Sequence, residues 1–340
     1  MEKTISQQRN LTIKVIGIGG GGVNIIGRMV PDKVQRIELM AADTDQLELQ
    51  RTRTAHRILL GFSVAKGNGA GSDHELGRRA CVESSGEIKR RLEGADMIFI
   101  LAGMGGGTGT GGAEVVATVA REVGALTVAV VTTPFAMEGL EKLKRAETGI
   151  KNLREKVDSL IVIQSDRLLS VIGDRSVIAS LDYVNEMVIQ AVRALTNLMT
   201  LPALFKLNFA DVKKVLANKG LAVFSTARVQ GENQTTRAAK LAVISPLVNF
   251  KVHDAEQAIV SVIGNDSISL NDVHEAVATV RGVLGERANI VFGVAIDPNL
   301  KDELILSVIV TGINATVALT GPNKKNTIVK KALKMSLKKD

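Results

Sequence analysis

The sequence predicts an α/β protein with a parallel sheet, followed by a second and smaller α/β domain. Apolar runs of strand length alternate with helical patterns through the first half of the 340-residue chain, as in βαβ units. Glycine-rich stretches at residues 17–22 and 103–112 each join such a run to the start of a helix. Tryptophan is absent and aromatic residues make up 3% of the chain, so the core is aliphatic, which is typical of strands buried on both faces.

The elements of the first domain follow from apolar runs bounded by glycine, proline and polar residues. An amphipathic, charged pattern predicts a single exposed helix over residues 74–92, which ends at Gly94. A third glycine-rich loop covers residues 67–72. Strands are predicted at 11–16, 38–42, 97–102, 126–133 and 159–164, and the other helices at 23–30, 113–120 and 138–157.

A helical pattern separates the two halves of the chain. Residues 182–200 place apolar side chains on one helical face, and Pro202 follows them. We interpret them as a connecting helix, with domain boundaries at 11–178, 179–202 and 203–320. The second domain has no glycine-rich turn between a strand and a helix, so we expect no phosphate site of its own. Its helices are predicted at 212–218, 235–243 and 269–284, and its strands at 221–226, 258–263, 290–296 and 303–311.

The basic charge of the chain is concentrated at its end. The formal net charge is +8, but residues 324–340 alone hold seven lysines and one aspartate. The remaining sequence is close to neutral, so we expect no nucleic-acid partner. In the basic tail, residues 321–340, apolar residues at helical spacing face away from the lysines. Such a tail is either an amphipathic helix for an acidic membrane surface or a solvated terminus, and we favour the terminus.

Cysteine usage and hydropathy indicate a cytoplasmic protein. Cys81 is the only cysteine, so an internal disulfide is impossible, as expected in a reducing compartment. The first ten residues are polar, which argues against a signal peptide. No apolar run reaches the about 18–20 residues that a membrane-spanning helix needs.

The two glycine-rich turns have the composition of an anion-binding site. Backbone N–H groups at a helix N-terminus attract anions, and glycine leaves them accessible because it has no side chain. The hydroxyls of Thr108 and Thr110 can also donate to phosphate oxygens. A flexible linker is the alternative, but a linker has no reason to lie between a buried strand and a helix. Two such turns therefore predict two sides of one phosphate site at the carboxyl ends of parallel strands.

Acidic residues follow the second predicted strand, in Asp43-Thr44-Asp45. Acids just past a strand end can face a ligand. A helix cap explains Asp45 equally well, because aspartate is among the preferred N-cap residues.

Several motifs together resemble one family. Gly-Met-Gly-Gly-Gly-Thr-Gly-Thr-Gly at 103–111 resembles the tubulin/FtsZ signature loop, in the form that FtsZ proteins carry. The resemblance spans roughly residues 11–313 and ends before the long linker and terminal peptide of ordinary members, so we expect a diverged paralogue without them. Further blocks in the family's order lie at 17–24, 132–139, 157–163, 208–212 and 296–304.

The resemblance implies a cytoskeletal GTPase that polymerises head to tail into protofilaments, in cell division or intracellular organisation. One subunit would hold GTP or GDP with Mg²⁺, and the next subunit would insert a loop whose acids position water. Glu138 would bind the ribose, and Asn24 and Asn185 the guanine edge. The residues that the resemblance assigns to the nucleotide are Gly19, Gly20, Gly21, Gly22, Asn24, Asp43, Gly103, Gly105, Gly106, Gly107, Thr108, Gly109, Thr110, Gly111, Thr132, Pro134, Glu138, Lys142, Ser165, Leu181 and Asn185.

The inserted loop departs from the family pattern Asn-x-Asp-Phe-Ala-Asp. Here it reads Lys206-Leu207-Asn208-Phe209-Ala210-Asp211, so one acid remains at Asp211 and the other is an amide. Asn208 can orient a water but supplies no negative charge. With Asp211 and Asn208 as the catalytic candidates, we predict slow GTP hydrolysis.

Other departures surround the nucleotide. The family's Asn is Asp43, its Arg is Lys142, a second Asn is Ser165, and the Phe that stacks on guanine is Leu181. Lysine is a point charge where arginine offers a planar fork. These losses indicate weaker guanine selectivity.

Two further hypotheses compete with a filament-forming GTPase. The first is a GTP-binding structural filament subunit, or a co-polymer of a standard FtsZ, with negligible hydrolysis. The second is a monomeric metabolic enzyme, which would need a catalytic histidine or cysteine. His56, His74, His253, His274 and Cys81 show no such grouping along the sequence.

Overall fold

The computed structural model describes residues 11–30, 37–201, 203–231, 234–243, 245, 255–301 and 303–313. The expected basic tail, residues 321–340, lies outside this described part of the chain.

The first domain is built on a parallel sheet, which confirms the predicted α/β class. Its strand order is β3-β2-β1-β4-β5-β6, and every neighbouring pair is parallel. One strand, β3, is absent from the sequence prediction because its four residues are polar at the start and half of them are exposed. The strands are β1 (Ile13–Ile18), β2 (Ile37–Asp43), β3 (His56–Leu59), β4 (Met97–Gly103), β5 (Leu126–Thr132) and β6 (Ser159–Ile163).

Helices cover both faces of this sheet. Buried aliphatic side chains form one core on each face, with Phe99 of β4 in one and Ile100 in the other, as strand alternation requires. The helices are α1 (Gly19–Met29), α2 (Gln46–Arg51), α3 (Phe62–Ala65), α4 (His74–Glu83), α5 (Ser85–Leu92), α6 (Thr108–Glu122), α7 (Leu140–Arg154) and α8 (Ser165–Ile172).

Two predicted helices are corrected. The single helix predicted over 74–92 is two helices, α4 and α5, which meet at Ser84. The Ser84 hydroxyl accepts a hydrogen bond from the N–H of Gly61 at 2.9 Å, and its backbone leaves the helical range. Helix α7 begins at Leu140 instead of 138, because Gly139 has a φ of 102° that no helix continues.

A long central helix, α9 (Val177–Thr200), connects the halves. It begins earlier than the predicted residue 182, because the Ser176 hydroxyl accepts from the N–H of Ala179 and caps it. Val188, Val192 and Leu195 are fully buried on one face. The helix packs against strands of both domains, so it fixes the site on the first domain relative to the second.

The second domain carries a mixed sheet in the order β8-β11-β9-β10-β7. Strand β11 is antiparallel to its neighbours β8 and β9. It runs opposite to β10, which is parallel to β9, and the connection from β10 to β11 is below the dozen residues that a parallel return needs. Strand β8 also pairs with β6, so eleven strands form one sheet. The elements are β7 (Ala203–Phe205), α10 (Phe209–Leu216), β8 (Gly220–Gln230), α11 (Gln234–Val243), β9 (Gln257–Gly264), α12 (Leu270–Leu284), β10 (Asn289–Ile296) and β11 (Glu303–Thr311).

Within the ranges that the structure describes, no helix combines the length and the apolar character needed to cross a membrane.

Candidate nucleotide site

An open cavity of about 380 Å³ lies at the carboxyl ends of β1, β4, β5 and β6. This is the edge at which the sequence placed a phosphate site. The cavity brings together sixteen of the predicted nucleotide residues: Gly19, Gly20, Gly21, Asn24, Gly103, Gly106, Gly107, Thr108, Gly109, Thr132, Pro134, Glu138, Lys142, Ser165, Leu181 and Asn185.

The two glycine-rich turns touch each other at the floor of the cavity. Gly19 has a φ of 69°, and a Cβ on it would lie 2.7 Å from the backbone nitrogen of Gly109. A Cβ on Gly21 would approach the backbone of Gly103 to 3.1 Å. Helices α1 and α6 both begin here, so two helix N-termini direct unpaired N–H groups and partial positive charge toward one point.

The third glycine-rich loop forms a further wall. The carbonyl oxygen of Gly71 accepts from the N–H of Gly107 at 2.9 Å, and Gly71 lines the cavity. A Cβ on Gly107 would lie within 2.8 Å of the carbonyl oxygens of Ala70, Gly71 and Asp73. The sequence identifies this loop but gives no signal that it meets the turn at 103–112.

Several predicted residues shape the site from behind and do not line it. The Thr110 hydroxyl accepts from the N–H of Gly105 at 2.8 Å, so it braces the loop from within. Arg145 of α7 donates from Nε to the carbonyl oxygen of Gly105 at 3.0 Å. Gly22 and Gly111 are packed too closely for any side chain. A Cβ on Gly22 would lie 2.4 Å from the carbonyl oxygen of Leu101, and a Cβ on Gly111 would lie 1.8 Å from that of His74.

Asp43 also lies behind the cavity wall. Its Oδ1 accepts from the N–H of Thr44 at 2.7 Å and of Asp45 at 3.3 Å. The Thr44 hydroxyl lies 2.6 Å from the hydroxyl of Thr108, which does line the cavity. Burial raises the pKa of the Asp43 carboxyl from its ordinary 3.8 to about 6, against the opposing effect of the two backbone hydrogen bonds and of a hydrogen bond with the Thr108 side chain. Asp45 caps α2, accepting from the N–H groups of Leu47 and Glu48.

Because its pKa is raised, ionised Asp43 lowers the free energy of unfolding, and the size of this effect depends on pH. The folded state holds the Asp43 proton more tightly than the unfolded chain, so stability falls as pH rises from about 4 to about 6. We expect Asp43→Asn to raise the free energy of unfolding of nucleotide-free protein near neutral pH by up to about 3 kcal/mol, with the gain shrinking toward pH 4. Urea denaturation along this pH range measures it.

Asp73→Asn is the matched control for this prediction. Asp73 is an exposed N-cap of α4, and asparagine caps as well as aspartate. The stability of the Asp73→Asn variant should therefore stay close to that of the unchanged protein at every pH. Equal gains in both variants would contradict the assignment of the cost to Asp43.

The opposite end of the cavity carries the groups expected at ribose and base. Glu138 accepts from the N–H of Phe135 at 2.8 Å and pairs with Lys142 at 2.5 Å, so its carboxylate is oriented from two sides. Asn24 of α1 and Asn185 of α9 both line the cavity. An ion pair between Arg28 and Asp182 ties their two helices together.

Ser165 and Leu181 stand where the family has Asn and Phe. The Ser165 hydroxyl donates to the Thr133 carbonyl oxygen at 2.6 Å, and its backbone N–H donates to the Thr133 hydroxyl. The hydrogen of this hydroxyl is therefore used within the cavity wall. Cavity residues that the sequence reasoning missed are Gly71, Met104, Thr133, Phe135 and Val184; all but Gly71 are adjacent in sequence to predicted ones, which is the only signal for them.

The loop with the two catalytic candidates lies apart from the cavity of its own subunit. Asn208 is the exposed N-cap of α10, and its Oδ1 accepts from the N–H of Asp211 at 2.8 Å. Neither Asn208 nor Asp211 lines the cavity. Because asparagine and aspartate cap helices equally well, the amide keeps the loop conformation and removes a charge.

Mg²⁺ in nucleotide sites is commonly bound through phosphate oxygens and water, with one or two carboxylates at most. Among the residues that the structure describes, no three His, Cys, Asp or Glu side chains cluster as a metal site.

Comparison with known proteins supports the family resemblance found in the sequence. The tubulin/FtsZ family GTPase domain matches residues 12–173, and the FtsZ family C-terminal domain matches residues 220–314. The chain is 40% identical over 304 residues to the cell division protein FtsZ of Mycoplasmopsis pulmonis (strain UAB CTIP), spanning 89% of this chain and 78% of that protein.

Solved structures agree at the level of the fold. An empty FtsZ dimer from M. jannaschii superposes with a TM-score of 0.88 at 37% identity, covering 92% of each chain. CetZ2 from Haloferax volcanii, in a GTPγS-bound protofilament, superposes with a TM-score of 0.76 over 97% of this chain and 99% of that one. At 21% identity, CetZ2 supports the fold alone. The resemblance found in the sequence is thus confirmed, and the chain belongs to the tubulin/FtsZ family of GTPases.

Proposed function

We propose that the chain binds GTP and GDP in the cavity and polymerises head to tail, so that hydrolysis occurs slowly at the contact between subunits. The observation that carries this proposal is the separation of the two halves of the site. The phosphate cradle is complete within one subunit, whereas Asn208 and Asp211 do not reach it. A second subunit is the natural source of the missing residues.

Exposed apolar side chains support such a contact. Met137 and Leu140 flank Glu138 at the cavity and are 80% and 71% exposed. Leu204 and Phe205 precede the loop with Asn208 and are also exposed. Large apolar side chains beside both halves of a divided site are typical of surfaces that become buried on assembly.

The chemistry accounts for slow turnover. Phosphoryl transfer needs a positioned water, in-line geometry and stabilisation of phosphate charge, and little covalent help. The helix N-termini of α1 and α6 supply N–H groups for the phosphates. Asp211 is left as the one acid of the inserted loop, and Asn208 contributes an uncharged acceptor that can orient water. Lys206 is exposed nearby and adds a cation, which either approaches phosphate or opposes the metal ion.

The cellular role follows from the relatives. FtsZ of Mycoplasmopsis pulmonis is a cell division protein, and we propose a cytoplasmic filament with a role in division or intracellular organisation. The departures at Asp43, Lys142, Ser165 and Leu181 favour a diverged paralogue that acts beside a standard FtsZ. For the Lys-rich tail we keep the solvated terminus as the preferred interpretation and membrane association as its alternative.

A static filament without turnover is the second candidate, favoured by the loss of the acid at Asn208. One experiment separates the two. Sedimentation and phosphate release are measured on the same sample with GTP, GDP and a non-hydrolysable GTP analogue, and negative-stain microscopy shows the polymer. We expect polymer with GTP and slow phosphate release. Polymer without any phosphate release selects the static filament, and no polymer under any nucleotide contradicts the proposal.

A further inference from the structure

A chain of two buried hydroxyl groups links Asp43 to the phosphate end of the cavity. Thr44 is fully buried, and its Oγ1 lies 2.6 Å from Oγ1 of Thr108 and 3.5 Å from Oδ1 of Asp43. Thr108 sits at the start of α6, where it lines the cavity. Asp43, whose carboxyl group ends this series of contacts and also hydrogen-bonds the Thr108 side chain, is buried with 3% of the residue exposed.

The charge of Asp43 decides the direction of the hydrogens in this chain. A carboxylate only accepts, so it draws the Thr44 hydroxyl hydrogen toward itself. The Thr108 hydroxyl then donates to Thr44 and presents lone pairs to the cavity. When Asp43 is protonated, Thr44 is free to donate to Thr108, and Thr108 can direct its own hydrogen at a phosphate oxygen.

We propose that Asp43 is a positioning residue for the terminal phosphate of the nucleotide, acting through Thr44 and Thr108 so that triphosphate binding takes up a proton. This inference rests on the proposed function, since it needs a nucleotide in the cavity. Diphosphate binding is coupled more weakly, because the third phosphate brings the additional negative charge that an ionised Asp43 opposes.

The surroundings of Asp43 leave it as the group that titrates. Strands β1 and β3 place Ile18 and Leu59 beside the end of β2, and α6 presents Thr108. Among the described residues, the charge that acts on Asp43 is the carboxylate of Asp45, which favours protonation. Burial holds the Asp43 pKa at about 6, so modest pH changes alter its charge.

Nucleotide titrations of the full chain test the inference. GTP and GDP affinities are measured by calorimetry without Mg²⁺, at pH values from about 5.5 to about 7.5, in two buffers of different ionisation enthalpy that report proton uptake. Asp43→Asn is the comparison protein, because asparagine keeps the acceptor for the Thr44 N–H without a charge. Protonation of the nucleotide itself affects both proteins equally, so it cancels when the unchanged protein is compared with Asp43→Asn.

We expect the GTP affinity of the unchanged protein, relative to that of Asp43→Asn, to fall about tenfold from the lowest to the highest pH, with a smaller fall for GDP. We also expect more proton uptake with GTP than the variant shows. Thr44→Val tests the part of the link that runs through the Thr44 hydroxyl, because it keeps Asp43 and the direct side-chain hydrogen bond between Asp43 and Thr108. Its extra proton uptake should be smaller than that of the unchanged protein.

The possible failures are distinct. Identical pH profiles for the unchanged protein and Asp43→Asn would overturn the inference while leaving nucleotide binding in place. Full proton uptake in Thr44→Val would overturn the role of the Thr44 hydroxyl. Absence of GTP binding at every pH would contradict the proposed function, and this inference with it.

Discussion

Asn208→Asp is expected to increase phosphate release per polymerised subunit by about tenfold or more. The change restores a carboxylate at a position that already holds the loop conformation, since Asn208 caps α10 by accepting from the N–H of Asp211. Aspartate makes the same cap, so the helix and the polymer contact should be retained. The added charge can hold a cation or accept a proton from water beside the terminal phosphate. Phosphate release normalised to sedimented protein measures the effect.

Asn152→Asp is the control for added charge. Asn152 lies on the exposed surface of α7, outside the cavity and the inserted loop, so its turnover should match the unchanged protein. Removing the remaining loop acid with Asp211→Ala should lower turnover further while GTP still binds. If the unchanged protein hydrolyses GTP quickly and Asn208→Asp leaves that rate the same, an acid at the first position of the loop has no role in hydrolysis.

Gly111→Ala is expected to destabilise the fold by more than about 3 kcal/mol. The new Cβ would lie 1.8 Å from the carbonyl oxygen of His74 and 2.7 Å from the backbone nitrogen of Arg78. Both atoms belong to the backbone of α4, which packs directly on α6, so no side-chain rotation relieves the clash. Separation of the two helices would also displace Thr108 and the start of α6. Urea denaturation and GTP titration report the two consequences.

Gly86→Ala provides the matched substitution. Gly86 is in α5, where a Cβ would meet no atom within 4 Å, so alanine should stabilise the helix by about 0.5–1 kcal/mol. If Gly111→Ala is insoluble while Gly86→Ala is soluble, the substitution at Gly111 prevents folding, which is a larger effect in the predicted direction. A Gly111→Ala protein as stable as the unchanged one would mean that α4 and α6 are less tightly packed than the structure shows.

Local sequence signals predict most of the strands and the meeting of the two glycine-rich turns at one edge of the sheet, because both depend on short-range patterns. The run before Gly103 is apolar at every position, and glycine marks both turns from strand to helix. The family resemblance then supplies the roles of individual residues. The domain boundaries and those roles stay predictions.

Features that depend on long-range contacts escape the sequence. The break at Ser84 follows from a hydrogen bond to Gly61, which is distant in sequence. The Thr110 hydroxyl accepts a hydrogen bond from the N–H of Gly105 and does not line the cavity. Asp43 is read as a ligand contact in the sequence, yet the structure places it behind Thr108. In each case the partner is fixed by packing that no local pattern encodes.

The dependence of turnover on protein concentration tests the division of the site most directly. Phosphate release per subunit and sedimented polymer are measured together across a dilution series, with the unchanged protein and with Asn208→Asp for a stronger signal. If the loop at residues 206–211 acts on the cavity of a neighbour, turnover per subunit should vanish below the concentration at which polymer appears. A turnover per subunit that stays constant through that concentration would contradict the account, because the cavity would then hydrolyse GTP without a second subunit.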